Sequence, residues 1–455
     1  MLSQNLKKIM DEDKISEIAM KTKFIIRERK ITALDFFYSL VFRSSKQLPV
    51  SLRNLSGFFD KIVSRTAVHN KFNEKATLFL KQCLQYVLSQ KIKDCQLETS
   101  LLDKFNDVKL IDSTGWKISH KLKKVFPGSG GAGSPAGCKV QLFYEYKTGT
   151  MHSVDITDGV FPDQKYSRVI AGKINSNDLI IFDLGYWSFK TLNQIEEKKA
   201  YYISRLNTSI NLWVKNEDKF IKFDLDNFLK KQNEVSLEFN VYLNKKQNIR
   251  LIAFRVPEEI ANRRRANLKK NAKKKGRIPR KKSLNMCDWS IFITNCSETL
   301  VPGEMIRSLY RIRWTIELIF KNWKSILKIQ KCNAKENEHR LLCELYAKLI
   351  FSVIVHNSYQ YLNSFLWRKQ RKEISFWCLW NYISDHAQII HETIKISVDK
   401  FILLFNSYLN KILTNCIKYY QPSRKTTLQY IDEMVGDDIP IKISKSILLR
   451  QQGLS

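Results

Sequence analysis

Apolar and polar positions follow two different periods along this chain. Between about residues 31 and 105, apolar residues recur every three or four positions, which predicts a small helical domain. From 107 to 204, short runs rich in Val, Ile, Phe and Tyr alternate with turn residues, which predicts strands. These runs are VKLID, KVQLFYEY, MHSVDIT, DLIIFD and AYYISRL, with the helical stretches YSRVIAGKI and WSFKTLNQIEEK between the later ones.

The order of these runs predicts an α/β fold. VKLID, two antiparallel strands, a helix, a fourth strand and a second helix suit a mixed sheet of the ribonuclease H-like kind. Between 205 and 293, the runs FIKFDLDNF, VSLEFNVYL, NIRLIAFRV and DWSIFITN predict further strands. From 336 to 450 the pattern is again mostly helical, with the aromatic clusters FWCLWNYI and FILLFNSYL, which suit a docking or dimer surface.

The segment YRIRWTIELIFKNWK, residues 310 to 324, combines a charged stripe with an apolar face. Wound as one helix at about 100° per residue, it places Tyr310, Arg313, Glu317 and Lys324 within roughly 60° of each other. The opposite side would face a core through Ile312, Ile316, Ile319, Phe320, Trp323, Ile326 and Leu327. A carboxylate framed by cations suits phosphate when a divalent metal lies between the two anions. The alternative is an ordinary amphipathic helix with a solvated face.

Net charge indicates the partner. The formal charge is +33 and the cations run through the whole sequence, which implies a polyanion such as nucleic acid. A membrane surface is the weaker alternative, because no stretch approaches the ~18 uninterrupted apolar residues of a bilayer span. The first residues also lack the apolar core of a signal peptide, so we expect a cytoplasmic, nucleoid-associated protein. The nine cysteines form no C-x-x-C pair, which fits reduced thiols rather than disulfides or structural zinc.

Two basic segments are candidates for contact with DNA. From Arg263 to Lys282 the chain has twelve Lys or Arg and no acid, so repulsion should keep it extended and mobile until an anion neutralises it. Its DNA contacts are expected from Lys273, Lys274, Lys275, Lys281 and Lys282. Near the amino terminus, Ser51 and Ser64 stand where helix caps would stand. The helix from Ser64 carries Arg65, His69, Asn70, Lys71 and Lys75; it is either the recognition helix of a helix-turn-helix or a solvated basic helix.

The glycine-rich stretch from Gly128 to Gly137 lacks the Gly-Lys-Ser/Thr ending of a phosphate-binding loop. We therefore expect a flexible surface connection beside the active site.

Three acidic residues are candidates for catalysis. Asp112 ends the run VKLID and Asp183 ends LIIFD, so both are predicted at strand ends. A single aspartate there is more often a turn former or a helix cap. Two on neighbouring strands, faced by Glu317, would repel each other without cations, and together they form the arrangement that two Mg²⁺ ions need.

These residues carry a family resemblance. Tyr310, Arg313, Glu317 and Lys324 match the spacing of the Y-R-E-K signature, so the chain resembles bacterial DDE transposases of the insertion-sequence-four family. The blocks LIDSTGWKI, IIFDLGYWSF, YYISRL and WSIFITN resemble that family in the same order, over about residues 20 to 350. The branch of the family, and with it a hairpin intermediate, is left open by the residues that follow Asp183.

The resemblance implies specific roles. Asp112, Asp183 and Glu317 would be the metal-binding triad, with two Mg²⁺ ions for which Mn²⁺ can substitute, and Tyr310, Arg313 and Lys324 would hold phosphates. The 134 residues between Asp183 and Glu317 would house a mainly β insertion. In hairpin-forming relatives a tryptophan in this part stacks on a flipped base, a role open to Trp289; the alternative is a buried strand tryptophan.

The resemblance also implies the organisation of the chain. The expected fold is α/β, a ribonuclease H-like core interrupted by a β insertion and flanked by helical regions. Its parts are a helical DNA-binding domain at 1–105, the core at 106–204 and 294–335, the β-rich insertion with its basic loop at 205–293, and a helical region at 336–455.

The implied activity is cut-and-paste transposition. The protein would bind terminal inverted repeats and target DNA as a homodimer, nick the ends with metal-activated water and transfer the freed 3′-hydroxyl, without a covalent protein intermediate. The alternatives are an inactive, transposase-derived DNA-binding regulator and a structure-specific nuclease on a related core.

Overall fold

The structure of the protein is a computed structural model. The described residues are 8–27, 29–43, 51–57, 59, 61–90, 101–130, 133–396, 398–418 and 444–445. The chain forms two compact units, each built from separate stretches of sequence. The first unit comprises Met1–Glu98, Asp112–Pro162 and Thr315–Arg424, and the second comprises Thr99–Ile111, Asp163–Trp314 and Lys425–Ser455.

Helices and strands alternate in the middle of the chain, whereas both flanking regions are largely helical. The helices are α1 Glu12–Lys21, α2 Ala33–Arg43, α3 Leu52–Ser56, α4 Arg65–Asn70, α5 Glu74–Ser89, α6 Asp163–Ile170, α7 Phe189–Glu197, α8 Leu225–Lys230, α9 Glu258–Lys274, α10 Lys281–Asn285, α11 Gly303–Arg311, α12 Trp314–Ser325, α13 Glu338–Gln370, α14 Phe376–Ile396 and α15 Val398–Asn415. The strands are β1 Val108–Lys117, β2 Gly137–Glu145, β3 Thr150–Asp158, β4 Leu179–Phe182, β5 Tyr201–Arg205, β6 Leu212–Asn216, β7 Lys219–Phe223, β8 Ser236–Leu243, β9 Gln247–Arg255, β10 Trp289–Thr294 and β11 Ser444–Lys445. The fold is therefore mixed α/β.

The first unit is organised around the long helix α13. The ring of Phe351 contacts that of Phe42 on α2 with centroids 6.4 Å apart, and Asn337, the N-cap of α13, donates a hydrogen bond to the Phe72 carbonyl. By length and hydropathy α13 is the one helix among the described residues that could cross a membrane, but 89% of its apolar window is buried inside the protein. Burial of this extent is that of a core helix.

The hairpin of β2 and β3 also belongs to the first unit. Its turn ends at Gly149, whose φ of +65° lies in the left-handed region that favours glycine. The Gly149 carbonyl accepts a hydrogen bond from His356 of α13, which fastens the hairpin to that helix.

The second unit contains a sheet in the order β1-β4-β5-β10-β9-β8-β6-β7, with β11 beside β8. Strands β1, β4 and β5 run parallel to one another. The neighbouring pairs β5–β10, β10–β9, β9–β8, β8–β6 and β6–β7 are antiparallel. In the parallel part, Lys109 of β1 is buried and forms a 2.7 Å ion pair with Asp178 just before β4. Its ammonium also donates to the Lys173 carbonyl, so a charge inside the apolar run VKLID is fully partnered.

Most of the predicted elements are confirmed. The two antiparallel strands that follow VKLID, the helices α6 and α7 and the further strands β7 to β10 lie where the sequence predicted them. The caps are also confirmed, since the Ser51 and Ser64 side chains accept hydrogen bonds from the backbone amides of Asn54 and Ala67.

The predicted recognition helix from Ser64 is wrong as a single helix. Helix α4 ends at Asn70, and α5 begins at Glu74 with the Asn73 side chain as its cap. The capping asparagine offers the backbone an alternative to continuing the helix. Arg65 therefore opens α4, whereas Lys71 follows its end with its ammonium 5.1 Å from the Phe24 ring centroid.

The basic segment is helical, which corrects the expectation of an extended chain. Helix α9 runs to Lys274 and α10 starts at Lys281. Two glutamates in the first turn of α9 favour the helix through its dipole. Arg264 then fixes one side of the helix by donating to the Trp289 carbonyl at 3.0 Å and the Ser290 hydroxyl at 2.9 Å.

Two smaller differences from the sequence prediction concern the β-rich region. The run FIKFDLDNF forms strand β7 and then helix α8, and strand β6 was not predicted. The base of the glycine-rich stretch is a hydrogen-bonded turn, because the Gly128 amide donates to the Pro135 carbonyl and the Gly137 amide to the Phe126 carbonyl. Residues 131 and 132 of that stretch lie outside the described residues, as do 419–443 and 446–455 of the predicted helical C-terminal region.

Candidate active site

Asp183 follows the last residue of β4, as predicted. Its carbonyl accepts a hydrogen bond from the Tyr186 amide, which turns the chain away from the sheet. Gly185 contributes by its small size, because a Cβ there would lie 3.3 Å from the Asp163 carboxylate. The strand end therefore presents a half-buried carboxylate in the second unit.

Asp112 does not end a strand, which corrects the prediction. It is the fifth residue of the ten-residue strand β1, at the point where four fully buried positions give way to half-buried ones. Strand β1 continues to Lys117, five residues past the aspartate, so the apolar run marked the buried half of the strand and not its end. The Asp112 carboxylate accepts the amide of Ser113 at 2.8 Å.

The signature segment is two helices rather than one. Helix α11 ends at Arg311 and α12 begins at Trp314, so Tyr310 lies on the first and Glu317 and Lys324 on the second. The turn between them is tight, because the amides of Ile312 and Arg313 donate to carbonyls three residues earlier. The prediction of a single helix is therefore wrong, whereas the predicted apolar face is buried in full.

Within the second unit, Tyr310 is surrounded by charge. Its ring lies 5.6 Å from the guanidinium carbons of both Arg205 and Arg313 and 5.1 Å from the Phe292 ring. The side chain is 6% exposed, and its hydroxyl makes no hydrogen bond of ordinary geometry with any described residue. We call Asp183, Arg205, Tyr310 and Arg313 the Tyr310 cluster.

Charges in the Tyr310 cluster act on the phenol in opposite directions. Burial raises the pKa of Tyr310 most; the Arg313 guanidinium lowers it, Asp183 raises it and Arg205 lowers it. Because the net pKa shift is upward, the phenol stays neutral and keeps its proton for donation. Two guanidinium groups and a phenol that lacks an acceptor form a set suited to an anionic oxygen.

Sequence reasoning missed Arg205. It is the last residue of β5, at the end of the run YYISRL, and its side chain is exposed. The available signal was its position, since a cation that ends a buried parallel strand lies at the same sheet edge as Asp183.

Glu317 is positioned by the packing of α12 in the first unit. Ile316, Ile319, Phe320 and Trp323 are buried, and the Trp323 indole donates to the Ser352 hydroxyl of α13 at 2.6 Å. Glu317 itself is half-buried, and Lys324 is exposed two turns further on. The buried side chains thus fix the position of α12, and the Glu317 carboxylate lies next to this buried face.

The chain after α12 is held by a buried lysine. The Lys348 ammonium donates to the carbonyls of Lys328 and Lys331 at 2.8 and 2.6 Å. These bonds tie the turn after α12 to α13, so they support the orientation of the Glu317 helix.

The three candidate carboxylates are divided between the units. Asp112 and Glu317 belong to the first unit and Asp183 to the second. Among the residues that the structure describes, no group of three or more His, Cys, Asp or Glu side chains is close enough to hold a metal ion.

Trp289 opens strand β10 and is 5% exposed. The Arg255 guanidinium carbon lies 4.5 Å from its ring centroid, and its carbonyl accepts from Arg264. This environment is that of the buried strand tryptophan that the sequence left as the alternative. Stacking on a base would require Arg255 to leave the ring.

The remaining candidates for DNA contact lie on the surface. Lys273 and Lys274 end α9, Lys275 is its C-cap, and Lys281 and Lys282 begin α10. All five are exposed, as is Arg65, whereas Lys71 is half-buried.

Comparison with known proteins identifies relatives along nearly the whole chain. The family model described as "Transposase DDE domain" matches residues 103–353. The transposase for insertion sequence element IS1151 of Clostridium perfringens is 31% identical over 396 residues, 82% of this chain and 84% of that protein. The transposase for IS231F of Bacillus thuringiensis subsp. israelensis is 28% identical over 459 residues, 95% of this chain and 94% of that protein.

A solved structure of the piggyBac transposase synaptic complex with hairpin DNA is similar with a TM-score of 0.46 and 12% identity, covering 93% of this chain and 86% of that one. A likeness at this level supports no conclusion about the site. The family model covers more than half of the sequence, and the IS1151 relative exceeds 30% identity over most of its length. The chain therefore belongs to the family of DDE transposases.

Proposed function

We propose that this transposase cleaves DNA at the terminal inverted repeats of its insertion sequence and joins the freed ends to a target, with Asp112, Asp183 and Glu317 as its catalytic residues. The Tyr310 cluster is the observation that carries the proposal. A buried hydroxyl without an acceptor, two arginines and the carboxylate of Asp183 lie together at one sheet edge. A scissile phosphate would give these donors their partner.

The proposed core is ribonuclease H-like. Strands β1 to β5 would form it together with α6, α7 and the Glu317 helix, and strands β6 to β10 with α9 would form the inserted β region. The strand order and the direction of each strand support this assignment. The N-terminal helices would bind DNA, and the C-terminal helices would contribute to a homodimer.

DDE transposases use divalent metal ions, and the donor chemistry of the three proposed residues suits Mg²⁺. All three side chains offer hard carboxylate oxygens, which are the ligands that Mg²⁺ prefers, and no thiolate or imidazole is required. We propose two ions, for which Mn²⁺ can substitute. When bound, they would activate the attacking oxygen and stabilise the leaving one.

The remaining residues position DNA. Arg313 and Arg205 would pair with phosphate oxygens beside Asp183, and the neutral Tyr310 hydroxyl would donate a hydrogen bond to one of them. Lys324 would hold a further phosphate from the surface of α12. Because the phenol keeps its proton, Tyr310 acts as a donor rather than as a covalent nucleophile.

The basic surface of α9 and α10 would follow the DNA backbone. Seven Lys or Arg lie between Arg263 and Lys274 on α9, and the residues after Ala261 are exposed or half-buried. Such a surface binds duplex without regard to sequence, which suits both transposon ends and target DNA. We place the protein in the cytoplasm, on the nucleoid.

The test is Glu317→Ala in the full-length chain. We expect Mg²⁺-dependent cleavage of duplexes carrying the terminal inverted repeat to fall below detection, because a metal ligand is lost, while the Kd for the same duplex changes less than about threefold. Gel assays of nicking and strand transfer, with filter binding in parallel, measure both quantities.

The matched control is Glu336→Ala, which removes an exposed carboxylate from the same unit and should leave cleavage intact. Cleavage by Glu317→Ala at the wild-type rate would exclude the triad. Binding without cleavage by the wild-type protein would identify an inactive DNA-binding regulator. Hydrolysis without strand transfer would indicate a nuclease.

A further inference from the structure

One face of the sheet in the second unit presents aromatic rings and lysines together. Trp213 of β6 pairs with Lys222 of β7 on one side and with Tyr242 of β8 on the other. Directly paired residues place their side chains on the same face of a sheet, so these three side chains form one row.

The next row extends the same face. Lys215 of β6 pairs with Phe220 of β7, and both are two residues from members of the first row. The Phe220 ring meets the Tyr242 ring edge to face, with centroids 5.1 Å apart at 77°. The Lys245 ammonium, in the turn after β8, lies 4.2 Å from the Trp213 ring centroid. We call Trp213, Phe220 and Tyr242 with Lys215, Lys222 and Lys245 the aromatic face.

The two sides of this part of the sheet differ in burial. Leu212, Phe223 and Leu243, which alternate with the aromatic face, are buried, and the Phe223 ring contacts that of Phe228 on α8. The three aromatic rings are only half-buried, and the three lysines are exposed. The core thus takes the opposite side, and the aromatic face is not needed to form it.

The charged side chains that belong to the aromatic face are the three exposed lysines. The acid on the same side of β8 is Glu238, which is neutralised by Arg250 with its Nε 2.7 Å from the carboxylate. Lys215 has a distant ion pair of 3.8 Å with the fully exposed Asp218 at the hairpin tip. A cationic surface with interspersed aromatic rings complements a chain of bases and phosphates.

We propose that the aromatic face binds an unpaired DNA strand, with bases stacked on Trp213 and on the Phe220 and Tyr242 pair and phosphates held by the lysines. Unpaired bases expose the π faces that stacking needs, whereas a duplex offers only its edges and backbone. Lys245 would move from the Trp213 ring to a phosphate. The inference rests on DNA as the partner but uses none of the residues proposed for cleavage.

The test compares single-stranded and duplex binding by full-length variants. Fluorescence anisotropy with labelled oligo(dT) and with a duplex of the terminal repeat, at fixed salt, gives both Kd values. Trp213→Leu keeps an apolar side chain without a ring, and we expect it to weaken oligo(dT) binding about tenfold. Duplex binding and duplex cleavage should change less than about twofold, because no base is unstacked.

Two further variants separate stacking from packing. Trp213→Phe restores a π face and should recover most of the oligo(dT) affinity, whereas Trp377→Leu removes a tryptophan that is 64% exposed on α14 and should have no effect. Thermal unfolding of each variant shows that the fold is retained.

Several results would overturn the inference: wild-type affinity of Trp213→Leu for oligo(dT), equal losses for single strand and duplex, or no oligo(dT) binding by the wild-type protein. If the wild-type chain cleaves no repeat duplex yet binds oligo(dT) through Trp213, the proposed catalytic function fails and this inference stands.

Discussion

Tyr310 carries a buried hydroxyl that finds no acceptor of ordinary geometry among the described residues. Removing an unsatisfied buried group relieves its desolvation cost, so Tyr310→Phe should raise the free energy of unfolding by about 1 kcal/mol. The same change removes a donor to a charged phosphate oxygen, and cleavage of the repeat duplex should fall at least about tenfold. Urea unfolding should show the gain in stability, and single-turnover cleavage should show the loss of activity.

Tyr382 offers the matched control for that prediction. Its hydroxyl also lacks a partner in the described part of the chain, but it lies on α14 in the first unit. Tyr382→Phe should therefore leave cleavage unchanged while stability holds or rises. A loss of stability in Tyr310→Phe, or cleavage equal to wild type, would show that its hydroxyl has no ligand to meet.

His356 predicts a pH dependence of stability. Burial lowers the pKa of His356 from 6.5 to about 4, and its Nε2 donates to the Gly149 carbonyl at 3.1 Å. Between these values the unfolded chain binds a proton that the folded chain does not. The contribution of His356 to the free energy of unfolding is therefore fully present above about pH 6.5. It is lost as the pH falls towards 4, by about 3 kcal/mol in all.

Urea unfolding at several pH values checks this dependence. His356→Gln retains an N–H donor but does not titrate, so its stability should fall less steeply in acid than that of the wild type. His69→Gln, at an exposed position, should keep the wild-type slope. An unchanged slope in His356→Gln would assign the acid sensitivity to other groups.

Sequence alone located single residues well where a local pattern decided their position. Asp183 follows a strand of four buried residues, and the turn after it needs no distant contact. Asp112 was misplaced because an apolar run ends where burial ends, whereas a strand ends where its hydrogen bonds do. Arg205 was missed because its neighbour Tyr310 is remote in sequence, and no local pattern pairs them.

Helices α9 and α10 show how tertiary contacts change an element. The twelve like charges of this segment predicted an extended chain. Hydrogen bonds and an ion pair made by its arginines, however, offset part of the repulsion between these charges. Arg264 bonds to the Trp289 carbonyl and the Ser290 hydroxyl, and Arg265 pairs with Asp288. Sequence gave no sign that residues 287 to 290 would return beside this helix. The break between α11 and α12 has a different, local cause: the amphipathic pattern continues through a turn that short-range backbone hydrogen bonds form.

The exposed lysines of these helices predict the salt dependence of binding. Exchange of Lys273, Lys274, Lys275, Lys281 and Lys282 for glutamine should lower the slope of log Kd against log salt by roughly 0.9 per lost phosphate contact. Titrations of a repeat duplex between about 50 and 300 mM salt give the slope. As a control, Lys190 and Lys198, exposed on and just after α7, should be exchangeable without effect. An unchanged slope in the fivefold variant would place this surface away from DNA.

The whole molecule carries a net charge of +33 spread over both units, and this predicts opposite effects of salt on free and bound protein. Free protein is destabilised by self-repulsion, so raising salt from about 10 to 150 mM, which shortens the screening length from about 30 to 8 Å, should raise its Tm. With saturating duplex, the stabilisation by bound DNA weakens as salt reduces affinity, so Tm should fall over the same range. Differential scanning fluorimetry with and without duplex measures both.

These opposite effects of salt on Tm distinguish an excess of positive charge that serves DNA binding from one that does not. An ordinary surface of mixed charge would gain little from screening and little from duplex, so both curves would be flat. If the free protein instead loses stability as salt rises, the cations must already be paired within the fold, and the polyanion would no longer be the counterpart that the composition demands. A Tm that rises with salt in the absence of DNA and falls with salt in its presence would mean that the charges which destabilise the fold are those that DNA neutralises. The excess of positive charge would then be explained by its role in transposition.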